Sequence, residues 1–223
     1  MANVIAIDGP SGAGKSSVSR IVGERLGYLH VDSGALYRIV TWQCLVHGID
    51  TTNPAAIAAF SETVEIECRP ENGRIVYYVG GEEPGNRIRT PDINAHTSEV
   101  AREKPVRDRI TALLRGMTRF GNLVVEGRDI TTAVFPDSPA RFYLTASAEA
   151  RARRRQKEET EKGIANQTTD AVKASLLARD AIDSTRAVAP LRKADGAVEI
   201  DSSNMTLAEV VEAVLSSLPR EWL

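Results

Sequence analysis

Two textures share this chain. Short, mostly apolar runs at Val4-Ile5-Ala6-Ile7, Tyr28–Asp32, Leu123-Val124-Val125, Arg141–Thr145 and Ala197–Ile200 predict strands buried on both faces. Between them, apolar residues recur at helical spacing. Val18, Ile21, Val22 and Leu26 mark a helix over Lys15–Leu26, with Gly27 placed to end it. Leu36, Ile39, Val40 and Leu45 mark another over Ala35–His47, closed by Gly48. Asn53-Pro54 reads as the cap and first residue of a short helix. Further helices are expected over Asp92–Glu103, over Pro105–Arg119 up to Gly121, from Ser147 to a break at Gly163, and over Asp170–Ser184. A polar loop is expected over 164–169, and Thr206-Leu207-Ala208-Glu209 is a capping box opening the last helix.

One stretch breaks the rhythm. Val64, Ile66 and Cys68 alternate with Glu65 and Glu67, Pro70-Glu71-Asn72-Gly73 reads as a turn, and Arg74–Val79 as a returning strand before Gly80-Gly81. Period-two alternation predicts an antiparallel meander. The expected fold is therefore α/β: a parallel sheet covered by helices on both faces, formed by 1–61 and 91–223, with a small antiparallel β insertion at 62–90. In such sheets ligands bind beyond the C-terminal ends of the strands.

Composition narrows the partners. The chain has 223 residues, 42% hydrophobic and 26% charged, which suits a packed core and argues against wholesale disorder. The net charge of −2 offers no polyanion-binding surface, so nucleic acid is not the expected partner. Cys44 and Cys68 fall in helical and strand patterns and read as small core residues. No window approaches about 18 apolar residues, and the first residues lack a basic stretch ahead of an apolar one. A cytoplasmic protein without a membrane partner is expected.

The chemistry starts at Gly9-Pro10-Ser11-Gly12-Ala13-Gly14-Lys15-Ser16, which fits G-x-x-x-x-G-K-[ST] between a strand and a helix. Its glycines let backbone N–H groups approach phosphate oxygens, and the helix N-terminus adds positive potential. Lys15 would reach the β/γ-phosphates of ATP or GTP. The Ser16 hydroxyl would ligate Mg²⁺, with Ser17 as a substitute. Two other polar clusters follow strand ends, Asp32-Ser33-Gly34 and Glu126-Gly127-Arg128-Asp129. Arginines are placed around them: Arg38, Arg107, Arg128, Arg179 and Arg186. Arginine binds phosphate bidentately and stays charged, so the cluster predicts an acceptor that is itself a phosphate ester. Such an acceptor is mostly dianionic at neutral pH and needs no general base. Arg151, Arg153, Arg154 and Arg155, with Glu149, Glu158, Glu159 and Glu161 nearby, suit either a salt-bridged surface helix or a lid at about 151–169; a lid is the expectation.

These motifs, with Asp32-Ser33-Gly34-Ala35-Leu36-Tyr37-Arg38, Ile88-Arg89-Thr90, Val134-Phe135-Pro136-Asp137 and Arg186-Ala187-Val188-Ala189-Pro190-Leu191, closely resemble bacterial-type cytidylate kinase along nearly the whole chain. The resemblance implies a P-loop kinase of pyrimidine nucleotide metabolism, with ATP and Mg²⁺ as cofactors, CMP or dCMP as acceptor, a core, a helical lid and an enlarged monophosphate-binding insert. It implies a monomer. It implies that Ser33, Arg38 and Arg128 hold the acceptor phosphate, that Ser98, Arg107 and Asp129 read the cytosine, and that Asp183 takes a ribose hydroxyl with Arg179 and Arg186 on sugar and phosphates. Cytosine chemistry agrees: its N4 amino group suits Asp129, and its O2 and N3 acceptors suit Arg107. The chain departs from the family pattern at Glu126, where Asp is common, and at Ile182 and Ser184, where charged residues occur. A GTPase switch would carry Asn-Lys-x-Asp and Asp-x-x-Gly, and neither is present.

Overall fold

The computed structural model describes residues 2–161 and 168–222. Its sheet, among the described residues, has seven strands: β1 (Val4–Asp8), β2 (Leu29–Asp32), β3 (Glu67–Glu71), β4 (Arg74–Tyr78), β5 (Leu123–Gly127), β6 (Ala140–Thr145) and β7 (Val198–Asp201). Their spatial order is β3-β4-β2-β5-β1-β6-β7, all parallel except β3. The helices are α1 (Lys15–Leu26), α2 (Ser33–Val46), α3 (Pro54–Ser61), α4 (Pro91–Val100), α5 (Lys104–Gly116), α6 (Ala148–Glu161), α7 (Thr169–Thr185) and α8 (Leu207–Ser216).

The unbroken apolar run of β1 has a simple cause: both its faces are covered. Val4 and Ala6 join Leu123 and Val125 in a core closed by Leu36, Ile39 and Val40 of α2, Ile57 of α3 and Ile110 and Leu114 of α5. Ile5 and Ile7 point the other way, with Val124, Phe142 and Leu144, against Val18 and Val22 of α1 and Val210, Val211 and Val214 of α8. Burying such side chains stabilises by about 1.5–3 kcal/mol each. Among the described residues no helix is long and apolar enough to cross a membrane. Both cysteines are buried free thiols.

The expected caps form. Gly27 is left-handed at the end of α1, Asn53 Oδ1 accepts from Ala56 N–H, Ser147 Oγ from Ala150 N–H, and Thr206 with Glu209 closes the capping box. The Gly163 break and most of the loop expected at 164–169 lie outside the described residues. Thr168 and Thr169 do not belong to a loop; they are the cap and first residue of α7.

Two details differ from the sequence reading. The strand expected from Val64 begins at Glu67, and Pro70 lies inside it rather than in the turn. A proline is tolerated there because β3 is an edge strand with one side unpaired. The turn shrinks to Asn72-Gly73, both left-handed at φ 48° and 76°, as a two-residue hairpin requires. The hairpin joins the core sheet through the parallel pair His30↔Arg74.

The second difference is a π-turn at Ile130–Val134, directly after the Glu126–Asp129 strand end. The Asp129 carbonyl accepts from both Ala133 N–H (2.9 Å) and Val134 N–H (3.2 Å). Its start is held by Asp8, whose carboxylate accepts from Ile130 N–H (2.9 Å), Thr131 N–H (2.7 Å) and Thr131 Oγ1–H (2.6 Å). Such turns recur at functional sites.

Candidate active site

β1, β2 and β5 are neighbours, so their C-terminal ends open on one cleft of about 490 Å³. The glycine loop follows β1. At Gly9 the backbone passes so close to β6 that a Cβ would lie 1.9 Å from the Leu144 carbonyl oxygen, so only glycine fits. Ser11, Gly12, Gly14, Lys15, Ser16 and Ser17 line the cleft. Gly9, Pro10 and Ala13 lie behind it: Pro10 O accepts from Lys15 Nζ (2.9 Å), and Ala13 is buried, its carbonyl facing Arg154 and Ser202. Lys15 is only 5% exposed. Burial pushes its ammonium down to about 7, and the nearby Arg128 charge acts in the same direction.

The residues expected to hold the acceptor line the same cleft. Ser33 Oγ–H donates to Glu126 O (2.6 Å), tying the β2 and β5 ends together. Arg38, one turn into α2, is half-buried, its buried Nε free of any hydrogen-bond partner, and the same holds for the Nε of Arg179 on α7. Burial, with Arg128 and Arg38 alongside, lowers the Arg179 guanidinium to about 10. Arg128 Nε pairs with Asp183 (3.1 Å), and Asp183 lies 3.6 Å from Arg186. At the far end Arg107 pairs with Asp129, 3% and 5% exposed, beneath the Tyr37 ring. Asp129 Oδ1 is 3.8 Å from Arg186 Nη2. Ser98, near the end of α4, lines the same space. The structure thus brings Ser33, Arg38, Ser98, Arg107, Arg128, Asp129, Arg179, Asp183 and Arg186 to one cleft. Among the described residues, eight Lys and Arg side chains against five carboxylates line it, a local excess in a chain of net charge −2.

The Arg-rich helix α6 divides its residues. Arg151 is buried against the glycine loop, and Arg154 donates to Ser202 Oγ (2.9 Å). Arg155 lines the cleft while paired with Glu159 (2.8 Å), and Arg153 is exposed.

Asp8, Tyr37, Asp180 and the Arg89–Asp32 pair (2.9 Å) also belong to the site's frame, and sequence reasoning assigned none of them a role. Asp8 carried a readable signal, a carboxylate ending an apolar strand directly before the loop. Burial holds its carboxyl up at about 6, against the Thr131 and Ile130 hydrogen bonds that lower it. Glu126, 5% exposed, lies 3.4 Å from His30 Nε2 and keeps Oε1 without a hydrogen-bond partner.

A family model described as cytidylate kinase matches residues 5–220. The chain belongs to the cytidylate kinase family. It is 43% identical over 218 residues to the cytidylate kinase of Geobacter sulfurreducens, covering 98% of this chain and 93% of that protein. The cytidylate kinase of Streptomyces avermitilis is 43% identical over 215 residues, with 96% and 91% covered. A bifunctional pantoate ligase/cytidylate kinase of Prochlorococcus marinus is 42% identical, and the match takes in 95% of this chain but 42% of that longer protein. Among solved structures, an uncharacterized protein from Eubacterium ventriosum superposes with a TM-score of 0.50 at 10% identity, covering 96% of each chain, which is a likeness of fold alone. Membership makes this chain an enzyme.

Proposed function

We propose that the protein transfers the γ-phosphoryl of ATP to the phosphate of CMP or dCMP, giving ADP and CDP or dCDP. One observation carries the reading beyond family membership. Two half-buried arginines whose buried Nε groups are unpaired, Arg38 and Arg179, line the same cleft as Arg128 and Lys15. A guanidinium is buried at such cost only where an anion meets it.

The chain's work is positioning and charge compensation. The glycine-loop N–H groups and Lys15 hold the β/γ-phosphates of ATP. Arg38, Arg128 and Ser33 hold the acceptor phosphate, and Arg179 offsets the charge spreading over the transferring group. Asp183 takes a ribose hydroxyl with Arg186 beside it. Ser98, Arg107 and Asp129 take the base. The residue types fit a cation carried by the phosphates: Ser16 and Glu126 both line the cleft, and the buried Glu126 Oε1, 3.4 Å from His30 Nε2, makes no hydrogen bond. Mg²⁺ held there would neutralise phosphate charge. In this reading 62–90 is the monophosphate-binding insert, 151–169 the lid that closes over the transfer, and the enzyme works as a cytoplasmic monomer on small nucleotides.

A coupled ADP-release assay with ATP and Mg²⁺ against CMP, dCMP, UMP, AMP and GMP tests the reading. CMP and dCMP turn over fast and UMP lags; a different preferred monophosphate overturns the base assignment.

Lys15 gives a pH prediction. With its ammonium near 7, most Lys15 side chains in the free enzyme are neutral at pH 8. Polyphosphate favours the charged form, so ATP binding at pH 8 takes up close to one proton, and affinity weakens as pH rises above 7. Calorimetry in buffers of different ionisation enthalpy measures the uptake; zero uptake contradicts the assignment of Lys15 to the phosphates.

A further inference from the structure

The glycine loop is gripped from behind by the two helices that flank the undescribed segment 162–167. Asp180 of α7 accepts a hydrogen bond from Ser11 N–H at 3.0 Å. Arg151 of α6 pairs with the same carboxylate, donates to Ser11 O at 2.9 Å and to Ala146 O at 3.1 Å. Both backbone groups of Ser11 are therefore held by one buried ion pair. The fit is close: a Cβ on the neighbouring Gly12 would come within 3.1 Å of both Arg151 Cβ and Arg151 O. The two helices form one unit, because Ala152 of α6 packs on Val172 and Leu176 of α7.

The other residues at this level of α7 face the acceptor side. Arg179 precedes Asp180 and lines the cleft with its Nε unpaired. Asp183, one turn later, holds Arg128 and approaches Arg186. A single turn of helix thus touches the donor loop at Ser11 and the acceptor arginines at Arg128 and Arg186. Asp180 shares that turn with Arg179 and Asp183, so a displacement of Ser11 would carry to both.

We propose that Asp180, braced by Arg151, is a positioning residue that couples the two nucleotide sites, so that filling the donor loop tightens binding of the acceptor. Asp180 pairs with none of the acceptor arginines and does not itself line the cleft; it acts through Ser11 on one side and through the α7 backbone on the other. Coupling is reciprocal: the acceptor tightens the donor by the same factor. The inference rests on the CMP kinase reading given above.

Calorimetric titration of CMP into the full-length protein tests it, alone and with saturating β,γ-methylene ATP and Mg²⁺. In the wild type the analogue tightens CMP by about fivefold or more. In Asp180→Asn the carbonyl still accepts from Ser11 N–H, but the charge bracing Arg151 is gone. Its CMP affinity without analogue stays within about twofold of wild type, and the tightening falls to near unity. Arg151→Lys keeps the charge and loses the fork spanning Ser11 and Asp180; it reads the same loss should Asp180→Asn fail to fold. Wild-type tightening in both folded variants overturns the proposal, and so does a wild type that binds both nucleotides independently. Either variant losing CMP affinity in equal measure with and without the analogue also overturns it, since that marks a plain structural strut. A wild type that binds no CMP sinks the acceptor assignment instead, a separate and recognisable failure.

Discussion

Lys15→Ala lowers kcat for phosphoryl transfer on the order of a thousandfold while the fold is retained. The magnitude follows from the position. Lys15 is 5% exposed and stands at the N-terminus of α1, where water screens its charge poorly. Removing a single aligned donor to developing charge costs about 10²–10³ in rate, and a buried cation belongs at the upper end of that range. Stability moves the other way. Burial lowers the Lys15 ammonium, so the folded chain binds it less readily than the unfolded chain does, and at neutral pH the buried lysine is no asset to folding. The variant therefore melts no lower than wild type. Single-turnover rates and thermal melts on the same preparation check both halves. Wild-type turnover in the folded variant refutes the placement of Lys15 on the transferring phosphate.

Asp129→Ala has two large effects that separate experimentally. Arg107 and Arg186 are 3% and 4% exposed, and both look to the Asp129 carboxylate. Removing one partner of a buried pair costs about 3–5 kcal/mol, because the remaining charge stays out of water. Denaturant unfolding reads that loss. The second effect is on base choice. Asp129 Oδ2 is taken by Arg107, whereas Oδ1 meets Arg186 only at 3.8 Å and has capacity left for an N–H donor such as cytosine N4. Uracil presents a carbonyl at that position, and the mismatch costs about 1–3 kcal/mol. The ratio of kcat/KM on CMP to that on UMP therefore falls by about 5- to 150-fold in Asp129→Ala, and also in the better-tolerated Asp129→Asn. An equal loss on both substrates removes Asp129 from base reading.

The parts of this site written in local sequence were readable there. The stretch β1, glycine loop, α1 is continuous in the chain, and its limits follow from neighbouring residues. Val4 to Ile7 must be buried on two sides, and Gly27 must stop the helix. That Arg38 and Arg128 share one cleft was readable because both follow strand ends of a parallel sheet, which converge. The unread parts depend on distant partners. The π-turn at Ile130–Val134 has no periodicity of its own and is held by Asp8, 122 residues away from Ile130. The hairpin's attachment rests on His30 meeting Arg74, and nothing in either strand's alternation selects that neighbour. Asp180 looks like any polar residue on a surface helix until Ser11, 169 residues earlier, is placed beside it.

β1 is the first strand of the chain, yet it sits between β5 and β6, with Val4 opposite Leu123 and Ile5 opposite Ala140. A ribosome therefore releases Ile5 and Ile7 long before either neighbour exists. Until β5 at Leu123 and β6 at Ala140 have been made, this strand has no ladder to enter, and its apolar faces lie open to chaperones or to other nascent chains. The glycine loop, attached to the end of that strand, likewise waits for Arg151 and Asp180, far downstream, before Ser11 is held in place.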